Sequence, residues 1–217
     1  MSRTRSPNPP ARRAEVLEAA TRVFHEKGYE ATSIQDVADE LGLLKGSLYY
    51  YINSKEDLLF AIIEEVHHGT MAQLERWLQV EADTLTKLRA FLHWQVVAYC
   101  EDVAKVGVFV NDFRSLSREH RERILEERDR YDRALRELIE EGKAEGVIDA
   151  EVDPKLSAMA IFGMLNWLSA WYQPEGPNTP QQLAEQFTDL AVAGLATRPD
   201  VPRRALGALP EDLRGPD

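Results

Sequence analysis

The chain has 217 residues, 44% of them hydrophobic and 29% charged, with a formal net charge of −11. That composition excludes a disordered or fibrous chain, no apolar run is long enough to span a bilayer, and the length allows one or two domains with an ample core. The single cysteine, Cys100, excludes an internal disulfide and any Cys-based zinc site, and its apolar surroundings make it a small core residue.

The first ten residues, M-S-R-T-R-S-P-N-P-P, are basic and proline-rich without the apolar centre of a secretion signal. Residues 1–10 are therefore expected to form a disordered arm, and the expected compartment is the cytoplasm. Residues 11–27 place Val16, Leu17, Ala20, Val23 and Phe24 on one helical face, with Gly28 just past the end. Thr32 followed by Gln35 fits a capping box, and Ile34, Val37, Ala38 and Leu41 then recur at helical spacing up to Gly42. A second short helix begins near Lys45 and buries Leu48 and Ile52. Two short helices around so tight a turn are the helix-turn-helix plan, whose second helix can enter a DNA major groove.

The outward residues of this unit suit a nucleic acid. Lys45 can reach a guanine edge or a phosphate, Ser47 can donate or accept, and Gly46 allows close backbone approach. Tyr49, Tyr50 and Tyr51 carry hydroxyls able to donate to phosphates, and Lys55 adds a cation. Thr32 and Ser33 complete the candidate DNA-binding set. Residues 1–55 hold 8 basic and 7 acidic side chains, so the excess negative charge lies in the rest of the chain. With screening over about 10 Å at ordinary salt, an acidic body can sit behind a near-neutral reading head.

The run A-T-S-I-Q-D-V-A followed by G-L-L-K-G-S-L-Y-Y-Y-I-N-S-K-E-D-L-L resembles the DNA-binding domain of the TetR family of bacterial repressors, over residues 11–60. Tyr51 and Ile52 depart from the histidine and phenylalanine common at those positions. The resemblance implies a repressor that binds a palindromic double-stranded operator as a homodimer and responds to a small-molecule effector.

Asn53 or Ser54 is the expected cap of a long fourth helix running through Leu58, Leu59, Ile62, Ile63 and Val66 toward Trp77, shared by the head and the body. His67 and His68 are adjacent and point in different directions, and no second Glu-x-x-His lies on another helix, so no metal or cofactor site is expected. Asp83 or Thr84 opens a fifth helix through Val103, and V-G-V-F-V-N-D-F reads as a buried sixth. Ser117 starts a charged helix to Ala144, read as a solvated face with local ion pairs. Asp153-Pro154 and Thr179-Pro180 each pair a cap with a first-turn proline, opening helices over 154–172 and 180–196. Their apolar surface exceeds what one subunit can cover, so a homodimer through these last two helices is expected. Residues 198–217 are expected to be a disordered tail.

N-D-F-R-S-L-S and N-W-L-S-A-W-Y-Q-P-E-G-P-N-T-P are similar to the effector domain of a TetR branch of acyl-CoA-responsive repressors of fatty-acid and sterol breakdown. That resemblance covers residues 84–196. Phe91, Trp94, Phe109, Phe113, Phe162, Trp167 and Trp171 are the candidate lining of an apolar effector pocket. Arg114, with Arg118 and Arg121, is the candidate contact for a CoA head, while Ala170 stands where relatives often carry arginine. The expected fold is thus all-α: a three-helix head at 11–57 and a helical ligand-binding and dimerisation domain at 58–197. A regulator responding to drugs or other apolar molecules is the alternative. An all-helical enzyme is a remote one, since no catalytic or phosphate-binding motif appears.

Overall fold

A computed structural model describes residues 9–197, so most of the expected arm and the whole expected tail lie outside the described residues. Helix α1 (Pro9–Lys27) begins two residues before the expected start and ends at Gly28, whose φ of +80° suits a residue without Cβ. Helices α2 (Ile34–Glu40) and α3 (Lys45–Leu48) follow, separated by Gly42 at φ +63°. A four-residue helix cannot persist alone in water. It is held by Leu48, which is completely buried, and by Ile52 one turn later.

The long helix α4 (Lys55–Leu78) is capped by Ser54, whose Oγ accepts from the Asp57 N–H at 3.0 Å. Asp83 caps α5 (Thr84–Glu101), which stops at Asp102 rather than running on through Val103. The apolar run forms α6 (Val103–Asp112) and a single 3-10 turn at Phe113–Ser115. Ser117 caps α7 (Arg118–Ala144), and the two Asp/Thr-Pro signals cap α8 (Pro154–Trp171) and α9 (Pro180–Leu195). Among the described residues there is no strand, only an isolated bridge between Ile148 and Ala196, and no helix is long and apolar enough to cross a membrane.

Two apolar cores result. One gathers α1, α2 and α3 around Leu58, Leu59, Ile62 and Ile63 of α4, and it also takes in Val108 and Phe109 of α6, Leu116, and Ile124 of α7. The other joins α5, α7, α8 and α9, including Val106 of α6. Helix α6 is therefore buried in both. Contact between α1 and α6 is close at Gly107, where a Cβ would stand 2.7 Å from His25 Nδ1.

The charges of α7 do more than pair along their own helix. Arg123 reaches Glu64 at 2.7 Å and Arg130 reaches Glu75 at 3.5 Å, both on α4. Exposed pairs of this kind contribute at most about 1 kcal/mol each. Better protected is Glu56, which accepts from the Ser117 N–H at 2.9 Å and from His120 Nδ1 at 2.7 Å, with the imidazole stacked on Phe60. Burial pushes the Glu56 carboxyl up, but these donors outweigh it and hold it below the usual range. The cysteine is buried as expected, and burial pushes its thiol up to about 11, which removes thiolate reactivity.

Replacing Gly107 by alanine tests the α1–α6 contact. In an isolated helix alanine is favoured by about 1 kcal/mol, yet here the imidazole of His25 must move. Gly107→Ala is expected to lower the melting temperature, and adding His25→Ala should recover part of the loss, with a coupling of at least ~0.5 kcal/mol.

Candidate functional site

The head presents α3 to solvent. Tyr50 is 88% exposed and Tyr49 49%, Lys45 and Gly46 are exposed, and Ser47 is half-buried. Tyr51 packs partly against the head core, so two of the three phenols stand free and the third is anchored. Leu44, just before Lys45, is 80% exposed, an apolar residue on the outer face that the spacing of the motif does not single out.

Three expectations for the head are corrected. The cap of α2 is Ser33, not Thr32: its Oγ accepts from the Asp36 N–H at 3.2 Å while Asp36 Oδ2 accepts from the Ser33 N–H at 2.8 Å. Thr32 is buried and donates to the Gly28 carbonyl at 2.8 Å, which takes it out of reach of a phosphate. Lys55 is a strut, donating from Nζ to the carbonyls of Tyr29 and Thr32, both at 2.8 Å, and lying 4.1 Å above the Tyr29 ring. Lys27 at 2.7 Å and then Ser33 hold the Asp36 carboxyl far below the usual range, which fixes the entry to α2.

Behind the head lies a cavity bounded by α4, α5, α6, α7 and α8. Val66, His67 and Met71 form one wall, Phe109 and Phe162 two others, and Tyr99, Glu127 and Tyr131 bring polar groups. The space that a water-sized sphere can occupy is about 40 Å³. Arg128, Phe162 and Asn166 also line a wider groove between α7 and α8, where Lys155, Asp129 and Asp132 stand and about 360 Å³ is free.

Of the eight candidate pocket residues, the structure brings only Phe109 and Phe162 together in this cavity. Phe91 is a core residue beside a smaller void with Leu74 and Trp77. Trp94 lines a separate groove between α4 and α5. Phe113 packs on the head core at 6.0 Å from the Phe109 ring, and Arg114 points to solvent. Trp167, 67% exposed, and Trp171 lie on the outer face of α8 with Leu156 and Met159. Arg118 pairs with Glu122, and none of the three candidate arginines lines the cavity.

The polar lining was missed because it sits in segments read as charged or apolar runs. Tyr131 donates to Oε1 of the fully buried Gln95 at 2.8 Å, and burial raises both the Tyr131 and Tyr99 phenols, the latter to about 12. A tyrosine interrupting the charged run of α7, one turn from Leu135 and two from Ile124, was the available signal. His67 Nδ1 donates to the Ile63 carbonyl at 2.9 Å, and burial lowers its pKa, so the imidazole is neutral near neutral pH. Glu56, Asp57 and His120 are close enough to share an ion. The Glu56 carboxylate is already engaged by Ser117 and His120.

Known proteins resemble this chain in sequence and fold. Residues 16–62 match the family model described as bacterial regulatory proteins, tetR family, and residues 81–195 match the tetracyclin repressor-like C-terminal domain. The chain is 28% identical to the HTH-type transcriptional repressor KstR2 of Mycobacterium tuberculosis, covering 85% of this chain and 93% of that one. Among solved structures, it resembles the TetR family regulator PfmR of Thermus thermophilus with a TM-score of 0.76 and 37% identity, over 84% of this chain and 99% of that one. It also resembles AibR in complex with isovaleryl coenzyme A and operator DNA, with a TM-score of 0.74 and 29% identity, over 82% and 97%.

Two outcomes follow from the site geometry. Lys55→Met is expected to lower the melting temperature of the head while leaving the salt dependence of DNA binding unchanged, whereas Lys45→Ala should reduce that dependence by up to about one unit of slope. The folded state holds fewer protons on His67 than the unfolded chain, whose imidazole titrates near about 6.5. Stability from this source is full above that value and is lost as pH falls through the lower folded value. Thermal denaturation from about pH 7.5 down to about pH 5 should therefore show a decline that His67→Gln reduces.

Proposed function

Because the chain belongs to the TetR family of bacterial regulatory proteins and is a DNA-binding transcriptional repressor of that family, we propose that a coenzyme A thioester with an apolar acyl group releases it from its operator. The observation that carries this reading is that one side chain, Phe109, both walls the cavity and belongs to the core of the head. Support for the effector class comes from relatives: AibR was solved with isovaleryl coenzyme A and operator DNA, and KstR2 is described as a ketosteroid transcriptional regulator.

The cavity cannot take such a molecule as it stands. Pockets that enclose drug-sized ligands have roughly 300–1,000 Å³, far above the 40 Å³ present. An acyl group can enter only by pushing its walls apart, and α6 with Phe109 is one of those walls. The acyl group would lie inside, with the coenzyme A head in the outer groove beside Arg128 and Lys155. Displacement of Phe109 and Val108 disturbs the packing of Leu58, Leu59, Ile62 and Ile63, and with it the tilt of α2 and α3. A ligand that fits only the opened form shifts the population away from the DNA-competent one.

The head would bind as one half of a pair. Leu156, Met159, Trp167 and Trp171 of α8 and Leu190 of α9 leave a large exposed apolar face. A two-fold contact through this face buries it and sets two α3 helices against successive major grooves, about one helical turn apart. In each head, Tyr49 and Tyr50 would position the helix on phosphates, and Lys45, Gly46 and Ser47 would meet base edges, with Leu44 able to contact a thymine methyl.

Gel shifts on the DNA upstream of the protein's own gene, titrated with coenzyme A thioesters of graded chain length, test the reading. Release by at least one thioester, with none by free coenzyme A, is the expected result; no release by any of them overturns it. Phe109→Leu should bind DNA and thioester within a few-fold of the parent but need at least about tenfold more thioester for release, a coupling loss of about 1.4 kcal/mol.

A further inference from the structure

The cavity is mostly apolar, and its polar lining comprises Tyr99, Asn166 and Arg128 together with groups whose hydrogen bonds are assigned. Tyr131 spends its proton on Gln95 and Thr70 spends its own on the Val66 carbonyl at 3.0 Å. His67, neutral and donating from Nδ1, keeps Nε2 as an acceptor. Glu127 lines the same cavity, and its Oε2 is shielded from solvent with no hydrogen-bond partner, while Oε1 lies 3.6 Å from His68 Nε2 on the outer side. An unpaired buried acceptor of this kind is destabilising, and a ligand that supplies its missing donor recovers that loss. Arg128, the sole arginine or lysine among the described lining residues, sits at the rim that the cavity shares with the outer groove.

We propose that Glu127 selects the effector: the end of the ligand buried in the cavity carries a hydrogen-bond donor, a hydroxyl or an amine, and not a free carboxylate. The inference rests on the reading that the cavity is the effector site. A donor entering the cavity satisfies Oε2, and His67 offers it a second acceptor. A carboxylate there brings two further acceptors and no donor, so neither it nor Oε2 gains a partner. A thioester presents no carboxylate, so fatty acyl groups would be admitted only after activation, and those bearing a hydroxyl would be preferred. The anionic head of such a ligand would remain outside, on the side of Arg128 and Lys155.

Three probes with one apolar body separate these effects: octan-1-ol, octylamine and octanoate, measured by calorimetry on the full chain at one pH and salt. The expected order is octylamine or octan-1-ol tighter than octanoate by at least about tenfold, equivalent to about 1.4 kcal/mol. Glu127→Gln should weaken octylamine and strengthen octanoate, narrowing the gap to a few-fold; Glu127→Asp should keep the parent's order. Octanoate binding as tightly as the alcohol, no saturable binding of alcohol or amine, or a gap untouched by Glu127→Gln overturns the proposal. If the glutamine variant does not fold, the order in the parent chain decides. Operator release by acyl thioesters is scored separately, so a failure there with the probe order intact overturns the thioester reading and leaves Glu127 as the selector.

Discussion

The structure depends on one short helix being buried on two sides. Val106 of α6 belongs to the body core and Val108 and Phe109 to the head core, so α6 cannot shift in one without repacking the other. Packed cores respond to such a shift by changing between discrete arrangements rather than by deforming smoothly. Gly107 lies between these residues and lets α1 approach α6 closely. The head is therefore clamped from behind by the same element that closes the cavity.

Around that helix, Leu116 and Ile124 add apolar contacts to the head core, and polar contacts run between α4 and α7. His120 and Ser117 hold Glu56 near the start of α4, and Arg123 and Arg130 reach further along it. Individually the two exposed arginine pairs add little, so they fix register more than stability. The excess of acidic residues outside the head makes nonspecific attraction to DNA weak. In the proposed reading, operator choice then falls on the few groups that α3 exposes, and small changes in its tilt are enough to matter.

Much of the fold was legible because caps and breakers are local chemistry. Ser54, Asp83, Ser117, Asp153 and Thr179 cap the helices they were expected to open, and Gly28, Gly42 and Gly146 adopt positive φ beyond helix ends. The cap of α2 was misplaced by one residue because Thr32-x-x-Gln35 and Ser33-x-x-Asp36 both fit the pattern. Burial of Thr32 under Gly28 and Lys55 decided between them, and that is a tertiary fact. Lys55 misled for the same reason, since a cation after a reading helix serves equally well as a strut. The aromatic residues of α8 are a different case. Phe162 and Trp167 are five positions apart, about 140° around a helix, so they could not share a cavity, and the wheel alone separated them. Glu127 and Tyr131 were hidden because a charged helix face and a polar cavity wall have the same composition.

The central claim is that filling the cavity changes the spacing of the two heads. With only one native cysteine, which is buried, a spin label can be placed at Glu18→Cys on the exposed side of α1 in a Cys100→Ser background and the distance between labels read by pulsed electron resonance. The account predicts that the labels of the DNA-bound pair lie at a separation set by the helical repeat, about 34–36 Å between half-site centres, and that a releasing thioester shifts the distribution by several ångströms. A distribution that stays the same when a bound thioester has released the DNA would contradict it.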